Sequence, residues 1–470
     1  MREIGLSEDY VAQLTKVGET PIDALGAPLR NWHARRVREP AACAARLLML
    51  DDPVSEDDAR LALGRPLVEA LTEAGLIRLE DEGLVSPFNL VAANQLYLIS
   101  DQLTLGEDAV MGASSTTATL CQASQPTRPV GRMLDLGCGA GSCGLLLADR
   151  AAAVVGTDIN PRAIVLSKVN ASLNGIANAD FRTGDLLAPV AGESFDLIVA
   201  QPPWFARPQG AEERVYLFGG TRGDEISLRI LREAPPFLSS RGRAVLLIEW
   251  PLIANDPLEE RIAEAVSQAD CNILLLKFPP RELDDYCTHY AALEHPQLDA
   301  SFARAAVQRR EHIESMGIDG LMLSLVVIQR NESGLNWFDT VEIAPANTDW
   351  VTGARIDKLV AARDLLAGDD AVLMTVRLRV PEGTIFAREF TLGKPVPPKV
   401  SARFPREALT GTVELGPGAQ LLLTLVNESP DVQSAMRRYA ENEKLTLDEA
   451  VARLLPPMKE ALAGGLLEVA

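Results

Sequence analysis

The sequence predicts an α/β protein with a seven-stranded, mostly parallel sheet. Three short apolar runs lie between residues 133 and 204, and each ends in a polar or glycine-rich turn. Parallel strands of this kind bring their carboxyl ends to one edge of a sheet, where ligands bind. Apolar runs and helical segments alternate as far as residue 330, which predicts helices on both faces of a Rossmann-like sheet.

Seven segments are predicted to be strands of this sheet: residues 133–136, 153–157, 180–183, 197–200, 244–248, 273–277 and 321–329. Helices are predicted between them, including residues 142–150, 161–174 and 226–237. The segment 278–320, which joins the last two strands, is longer than packing needs. We expect it to carry substrate specificity, because loops on a rigid scaffold often carry function.

The first predicted strand leads into the glycine-rich turn Asp135-Leu-Gly-Cys-Gly-Ala-Gly141. Gly137, Gly139 and Gly141 lack a Cβ, so the backbone of this turn can approach a ligand closely. Asp135 ends the buried strand, and Cys138 lies within the turn. The helix predicted to follow offers free N–H groups to a carboxylate or a phosphate. The turn therefore predicts a cofactor site.

Acidic residues follow the second and third predicted strands. Asp158, followed by Ile159, lies at the tip of the second strand, where an acid can accept both hydroxyls of a ribose. Asp185 and Leu186 follow the third strand. Nicotinamide-binding proteins carry the same acid, so these residues alone leave the cofactor open. The structural alternatives are a helix N-cap for Asp158 and a plain turn residue for Asp185.

Two motifs together resemble one family of enzymes. The glycine turn has the form seen in class I S-adenosylmethionine-dependent methyltransferases, rather than the G-x-G-x-x-G of dehydrogenases. Gln201-Pro-Pro-Trp204 resembles the Asn-Pro-Pro-Tyr/Phe/Trp signature of methyltransferases that act on planar nitrogens. Those include release-factor glutamine, ribosomal RNA guanine-N2 and DNA adenine-N6 enzymes. Ser100-Asp101 and residues 111–117 and 218–224 resemble connecting segments of the small-domain group in that set, and the resemblance extends over residues 95–330.

The resemblance implies that the cofactor is S-adenosylmethionine, with Asp158 on its ribose and Asp185 on its adenine side. It also implies that the last strand of the sheet runs antiparallel to its neighbour. The candidate cofactor-binding residues are Asp135, Gly137, Cys138, Gly139, Gly141, Asp158, Ile159, Asp185, Leu186 and Gln201.

The same resemblance implies a catalytic role for Gln201, Pro202 and Trp204. In the family, the side-chain carbonyl of residue 201 and the backbone carbonyl of Pro202 hold the N–H groups of the acceptor. Pro202 and Pro203 stiffen the loop, and Trp204 offers a face on which a planar acceptor stacks. Residue 201 is Gln where the pattern has Asn, which puts the same amide on a stem about 1.5 Å longer.

Further residues are candidates for lining the acceptor pocket beside Pro203 and Trp204. They are Tyr216, Tyr286, His289 and Tyr290. The last three belong to the long segment 278–320. Their structural alternative is an ordinary amphipathic surface, which often carries such side chains.

The catalytic part is predicted to span residues 126–330, with other regions on either side. Residues 1–95 read as helices followed by a hairpin, which is a winged-helix-like pattern, and residues 96–125 are a connecting segment near the cofactor. Residues 331–470 are predicted to be an α+β region for recognition or dimerisation. Its predicted strands include residues 371–380, 390–392, 411–415 and 421–426, its predicted helices are 432–439 and 447–455, and residues 462–469 read as a small wing.

Composition restricts the class of protein. The net charge of −20 and the acids Glu69 and Glu73 on the third predicted helix disfavour binding of nucleic acid, because phosphate contacts need Lys or Arg. Six scattered cysteines without a C-x-x-C pair, and only four histidines, predict no metal site. A charged N-terminus and the lack of a long apolar run predict a cytoplasmic protein without a membrane span.

The sequence as a whole predicts an S-adenosylmethionine-dependent N-methyltransferase that acts on an amide or amino nitrogen of a peptide, a protein or a natural product. One alternative is a ribosomal RNA guanine-N2 methyltransferase, which the resemblance of the loop permits. The other enzymatic alternative is a small-molecule O-methyltransferase. A non-enzymatic regulator that senses a ligand through the same crevice is a further alternative.

Overall fold

A computed structural model describes residues 1–16, 27–102, 106–211, 214–295, 298–331, 334–389, 399–405, 408–409 and 412–470. Contacts between residues divide the chain into two compact units. The first unit comprises Met1–Cys121, Pro129–Ala269 and Pro280–Leu323, and the second comprises Gln122–Arg128, Asp270–Pro279 and Ser324–Ala470. The functional boundaries predicted at residues 95, 125 and 330 stay predictions.

The N-terminal part has the predicted order of helices followed by a hairpin. Its elements are α1 Glu8–Thr15, α2 Ala27–Ala34, α3 Pro40–Met49, α4 Glu56–Leu63, α5 Arg65–Glu73, β1 Arg78–Glu80, β2 Gly83–Val85, β3 Phe88–Ala93, β4 Leu96–Asp101 and α6 Ser115–Ser124. Ser55 caps α4 by accepting a hydrogen bond from Asp58 N, and β1 pairs antiparallel with β2. A small apolar core that includes Leu47 and Ile77 holds these helices and the hairpin together.

The central part alternates strands and helices. Its elements are β5 Val130–Leu136, α7 Ser142–Leu146, β6 Ala151–Asp158, α8 Pro161–Leu173, β7 Ala179–Thr183, β8 Phe195–Ala200, β9 Phe205–Ala206, β10 Phe218–Gly220, α9 Glu225–Glu233, β11 Leu238–Leu252, α10 Leu258–Val266, β12 Cys271–Lys277, α11 Leu283–Glu294, α12 Ala300–Ser315, β13 Gly320–Arg330 and β14 Phe338–Glu342. All seven predicted strands are present. The helix predicted over 142–150 stops at Leu146, because a 3-10 turn at Ala148–Arg150 leads the chain into β6.

Five strands of the first unit form a parallel sheet in the order β11-β8-β5-β6-β7. The middle strands are almost wholly apolar, and Met133, Leu134 and Ala200 are 0% exposed. Strands buried on both faces need such side chains, since helices cover both sides of a parallel sheet. The parallel arrangement brings the carboxyl ends of β5, β6, β7 and β8 to the same edge.

In the second unit, β12 pairs antiparallel with β13 and parallel with β14. The antiparallel last strand is as the family resemblance implied. The strand β14 was not among the seven predicted strands. The predicted fold class, α/β with a mostly parallel sheet, is confirmed.

The C-terminal part mixes helices and short strands around its own apolar core. Its elements are α13 Gly353–Ala367, α14 Asp370–Met374, β15 Leu378–Arg379, β16 Ile385–Glu389, β17 Lys399–Arg403, β18 Thr412–Leu415, α15 Pro417–Glu428, α16 Val432–Glu443, α17 Leu447–Ala463 and β19 Glu468–Val469. Residues 390–392, predicted as a strand, lie outside the described residues. The wing predicted over 462–469 is instead the end of α17 followed by β19, which pairs with β15.

Two strand predictions in this part were wrong, one of them for part of its length. In segment 371–380, residues 371–374 belong to helix α14, which begins where the side chain of Asp369 accepts a hydrogen bond from Ala371 N, and residues 378–379 form β15. Segment 421–426 lies inside α15, which begins at Pro417 and buries Leu422, Leu423 and Val426 in the apolar core. Short apolar runs fit a strand or a buried helix equally well, and here the cap and the packing decide for the helix.

Across the described ranges, no helix combines the length and the apolar character that a membrane span requires. The same residues contain no group of three His, Cys, Asp or Glu side chains placed to hold a metal ion.

Candidate active site

A cavity of about 700 Å³ opens in the first unit at the carboxyl ends of β5, β6, β7 and β8. Most of the predicted site residues line it: Asp135, Gly137, Cys138, Gly139, Asp158, Ile159, Asp185, Leu186, Gln201, Pro202, Pro203, Trp204 and Tyr216. Four predicted residues do not: Gly141, Tyr286, His289 and Tyr290. The structure therefore brings the segments at four strand ends to one cavity, while the roles predicted for these residues stay predictions.

The glycine turn has the conformation that its sequence predicts. Gly137, Gly139 and Gly141 have φ of 71°, 53° and 78°, which is the left-handed region that favours glycine. The N–H groups of Gly137 and Cys138 donate to Thr157 O at 2.8 and 2.9 Å, which ties the turn to β6. A Cβ at Gly141 would lie 3.1 Å from the side chain of Ser167. Gly141 therefore allows close packing of α8 and does not line the cavity.

Asp158 is held by backbone donors at the end of β6. Its two carboxylate oxygens accept hydrogen bonds of 2.8 Å from Gly139 N and from Asn160 N. Burial raises the pKa of Asp158, and these two backbone hydrogen bonds act in the opposite direction. The N-cap of α8 is Asn160, which accepts from Arg162 N. Each oxygen of Asp158 has capacity for a further donor, such as a ribose hydroxyl.

Asp135 lies beneath the glycine turn and is 3% exposed. Its carboxylate accepts a hydrogen bond of 2.7 Å from Gly144 N and so connects β5 to α7. Burial raises the pKa of Asp135 to about 7. A proton on Asp135 therefore stabilises the folded chain at a pH where the unfolded chain has already lost it.

We expect Asp135→Asn to change how stability depends on pH. Since the pKa of Asp135 is about 7 in the folded chain and about 3.9 in the unfolded chain, the wild-type protein loses stability as pH rises between these values. Asn keeps an acceptor for Gly144 N but cannot ionise. The Tm of Asp135→Asn relative to wild type, measured by calorimetry from about pH 5 to about pH 8, should rise with pH. A constant difference in Tm would contradict the assignment.

Asp185 lies at the cavity, but its carboxylate already has a partner. Arg229 of α9 donates to both of its oxygens, at 3.1 and 2.8 Å, and also pairs with Glu233. Leu186 has a φ of 43° and accepts a hydrogen bond of 3.0 Å from Thr157 Oγ1 through its carbonyl. A cofactor that uses Asp185 has to share it with Arg229, a cavity residue that the sequence did not predict.

The segment that follows β8 forms another part of the cavity lining, with Gln201, Pro202, Pro203 and Trp204. Gln201 Nε2 donates a hydrogen bond of 2.8 Å to Thr116 Oγ1 of α6. Gly219 and Gly223 lie directly against the backbone of this loop, since a Cβ on them would come within 2.5 Å of Pro203 O and of Trp204 O, respectively. The glycines of segment 218–224 therefore allow two stretches of backbone to pack together.

The aromatic residues of α11 lie behind the loop. Tyr286 is 1% exposed and Tyr290 9% exposed, and their ring centroids lie 5.8 and 4.0 Å from that of Phe205. The hydroxyl of Tyr290 accepts a hydrogen bond of 3.1 Å from Arg281 Nη1. His289 packs edge-on against Tyr290. The rings of Tyr286 and Tyr290 thus pack against Phe205, and the predicted contact of Tyr286, His289 and Tyr290 with an acceptor stays a prediction.

The cavity also contains a wall from segment 96–125, which was predicted to lie near the cofactor but contributed no named site residue. It is formed by residues 108–112, with Thr117, Arg207, Arg214 and Ile226 elsewhere on the lining. Asp101 positions the wall by accepting from Val110 N at 3.0 Å, while Arg162 binds both oxygens of Asp101 at 2.6 Å. Asn160 Nδ2 also donates to Asp108 O at 2.8 Å. The Ser100-Asp101 motif was the signal in the sequence that could have located this wall.

The sequence is similar to those of known methyltransferases. The sequence model of the methyltransferase small domain matches residues 113–270. A release factor glutamine methyltransferase from Cereibacter sphaeroides is 30% identical over 242 residues, which are 48% of this chain and 84% of that protein. Another, from Xylella fastidiosa, is 40% identical over 130 residues, covering 25% of this chain and 47% of the relative. A ribosomal RNA small subunit methyltransferase C from Alcanivorax borkumensis is 31% identical over 128 residues, covering 27% and 33%.

The share of each relative that the chain covers decides whether a match establishes its family. Against several curated relatives the chain spans 60%, 33%, 38% and 47% of the relative's length, which is less than two thirds in each case. Against the Cereibacter protein it spans 84%, and the matched domain includes the whole glycine turn and the whole Gln201–Trp204 loop. On this ground the chain belongs to the small-domain group of class I S-adenosylmethionine-dependent methyltransferases.

Proposed function

We propose that this chain is an S-adenosylmethionine-dependent N-methyltransferase whose acceptor is an amide or amino nitrogen of a peptide, a protein or a natural product. One observation carries the proposal: the loop from Gln201 to Trp204 follows β8 directly and lines the same cavity as Asp158 and the glycine turn. Some relatives are named release factor glutamine methyltransferases. A glutamine side-chain amide of a protein is therefore the acceptor to test first.

The residues at the turn suit the cofactor. The cavity of about 700 Å³ is of a size that holds a nucleoside-sized ligand. Asp158 presents oxygens with spare acceptor capacity, and the glycine turn leaves room for close approach. Ser142 Oγ is buried at the cavity wall without a hydrogen-bond partner among the described residues. Bound S-adenosylmethionine would supply a methyl group on a sulfonium centre.

The loop supplies the positioning that transfer to nitrogen requires. An amide nitrogen is a weak nucleophile because its lone pair is delocalised. The side-chain carbonyl of Gln201 and the backbone carbonyl of Pro202 accept its N–H groups, which directs the lone pair toward the methyl group. Pro202 and Pro203 restrict the motion of the loop. The ring of Trp204 stacks on the planar acceptor.

The test uses the full chain with S-adenosylmethionine labelled in its methyl group. The acceptors are a purified release factor, ribosomal RNA, and the protein and small-molecule fractions of a host lysate. We expect label on a nitrogen of a protein, peptide or small molecule, located by mass spectrometry. Label in ribosomal RNA alone would establish the guanine-N2 alternative, and label on oxygen would establish O-methylation. An absence of transfer in every fraction would favour the ligand-sensing regulator.

Charge supports a protein or small-molecule acceptor over nucleic acid. The chain carries a net charge of −20. On α5, which takes the place of a recognition helix, the one cation Arg65 is paired with Glu69 at 2.7 Å. Phosphate contacts would need unneutralised Lys or Arg at such a surface. The cytoplasmic location, a homodimer and the recognition role of residues 331–470 stay predictions.

A further inference from the structure

The amide of Gln201 is fixed at one end by a residue outside the catalytic loop. Its Nε2 lies 2.8 Å from Thr116 Oγ1, on the first turn of α6. Thr116 Oγ1 also lies 2.8 Å from Ser114 Oγ. If Thr116 donates its own proton to Ser114, its remaining lone pairs accept the N–H of Gln201. The three side chains then form a short chain of hydrogen bonds, in which Gln201 donates to Thr116 and Thr116 donates to Ser114.

The direction of this chain decides which end of the amide faces an acceptor. An amide has a donor end and an acceptor end. With Nε2 bound to Thr116, the other end of the amide is Oε1, which accepts N–H groups and has no hydrogen-bond partner among the described residues. A reversed amide would present its own N–H groups to the N–H groups of the acceptor and could not bind them. The cavity therefore presents Gln201 as a hydrogen-bond acceptor only while Thr116 holds Nε2.

The length of the side chain matters for this contact. An Asn at position 201 would carry its amide about 1.5 Å closer to the backbone, beyond hydrogen-bond reach of Thr116 in the present geometry. The length of the Gln201 side chain is therefore matched to the position of Thr116 on α6. The Asn of the family pattern would be too short for this contact.

We propose that Thr116 is a positioning residue for methyl transfer, which acts by orienting the side-chain amide of Gln201. The inference rests on the proposed function for its kinetic consequence, but the orientation itself is a property of the unliganded protein. Thr116 touches neither cofactor nor acceptor in this role. It sets the direction of the group that does.

The kinetic test compares three substitutions on α6. Thr116→Val keeps the shape but removes the hydroxyl, and we expect turnover to fall by about 3- to 10-fold, the range for one neutral hydrogen bond, with unchanged affinity for S-adenosylhomocysteine. Thr116→Ser should restore most of the activity. Thr119→Val is the matched control, because the one hydrogen bond of its hydroxyl among the described residues is donated to Ser115 O within the same helix. Equal losses in Thr116→Val and Thr119→Val would overturn the proposal.

A double-mutant cycle separates this role from a structural one. In a Gln201→Asn background the amide no longer reaches Thr116, so Thr116→Val should cause no further loss of turnover. Losses that multiply independently would show that Thr116 acts on the fold and not through residue 201.

A third measurement does not depend on activity. The protein is labelled with ¹⁵N-glutamine, and the side-chain NH₂ signals of Gln201 are assigned by their disappearance in Gln201→Asn. We expect these signals to shift in Thr116→Val and to stay in place in Thr119→Val. Unchanged signals in Thr116→Val would overturn the proposed contact even if the enzyme methylates its acceptor. A shift without methyl transfer to any acceptor would uphold the contact and reject the proposed function.

Discussion

Gln201→Ala is expected to lower the turnover of methyl transfer by about 10²–10³-fold, the effect of removing one preorganised polar group from a catalytic site. The side chain lines the cavity, and its amide is oriented by Thr116, so its carbonyl is available before an acceptor binds. Alanine removes this acceptor and leaves only the backbone carbonyl of Pro202. The affinity for S-adenosylmethionine should stay near that of wild type, since Gln201 is assigned mainly to the acceptor.

The measurement is single-turnover methyl transfer beside a cofactor titration, with Gln201→Asn as the second variant. Asn restores the residue of the family pattern on a shorter stem, so we expect an intermediate loss. Full activity in Gln201→Ala would show that the loop only shapes the cavity. An oxygen acceptor would then be the better interpretation, because it needs a base and not a pair of carbonyls.

Asp158→Ala is expected to weaken binding of S-adenosylmethionine by about 1.5–3 kcal/mol, the range for hydrogen bonds to a charged group. Part of this loss arises within the protein, because the carboxylate also accepts from Gly139 N and Asn160 N and so holds the turn. Asp158→Asn keeps one carbonyl oxygen and should lose less. Burial raises the pKa of Asp158, so wild-type affinity should begin to fall on acidification at a higher pH than for an ordinary aspartate.

Calorimetric titration of the cofactor tests this prediction, and thermal unfolding of each variant shows whether the fold is intact. Asp180→Ala is a suitable control, because Asp180 also lies on the sheet but pairs with Arg182 at an exposed site. Unchanged affinity in a folded Asp158→Ala protein would remove Asp158 from the cofactor site.

The sequence by itself determined the sheet of the first unit and the edge at which the cavity lies. Strand 197–200 is apolar on both faces and strand 133–136 is apolar except for Asp135, which suits the interior of a parallel sheet once helices alternate with such strands. The glycine turn needs positive φ at three positions, which few other residues tolerate. Burial of apolar side chains and positive φ at glycine are properties of short segments, so they can be predicted from the local sequence. The motifs at the strand ends then meet because the strands are parallel.

Only the tertiary structure decided which partners the site residues have. Thr116 and Gln201 are 85 positions apart, and Asp185 and Arg229 are 44 apart. No local pattern joins such pairs, because their contact depends on how α6 and α9 pack. The depth of Tyr286 and Tyr290 likewise follows from the packing of α11 behind Phe205.

The same distinction explains the wrong strand predictions. Segments 371–380 and 421–426 have apolar runs that suit either a strand or a buried helix. Residues 371–374 form a helix that is capped at Asp369. Residues 421–426 are helical because they lie in a helix that begins at Pro417 and buries Leu423 in a core that other elements complete. A short apolar run predicts that the segment will be buried. The neighbours that bury it, which are distant in the sequence, decide its form.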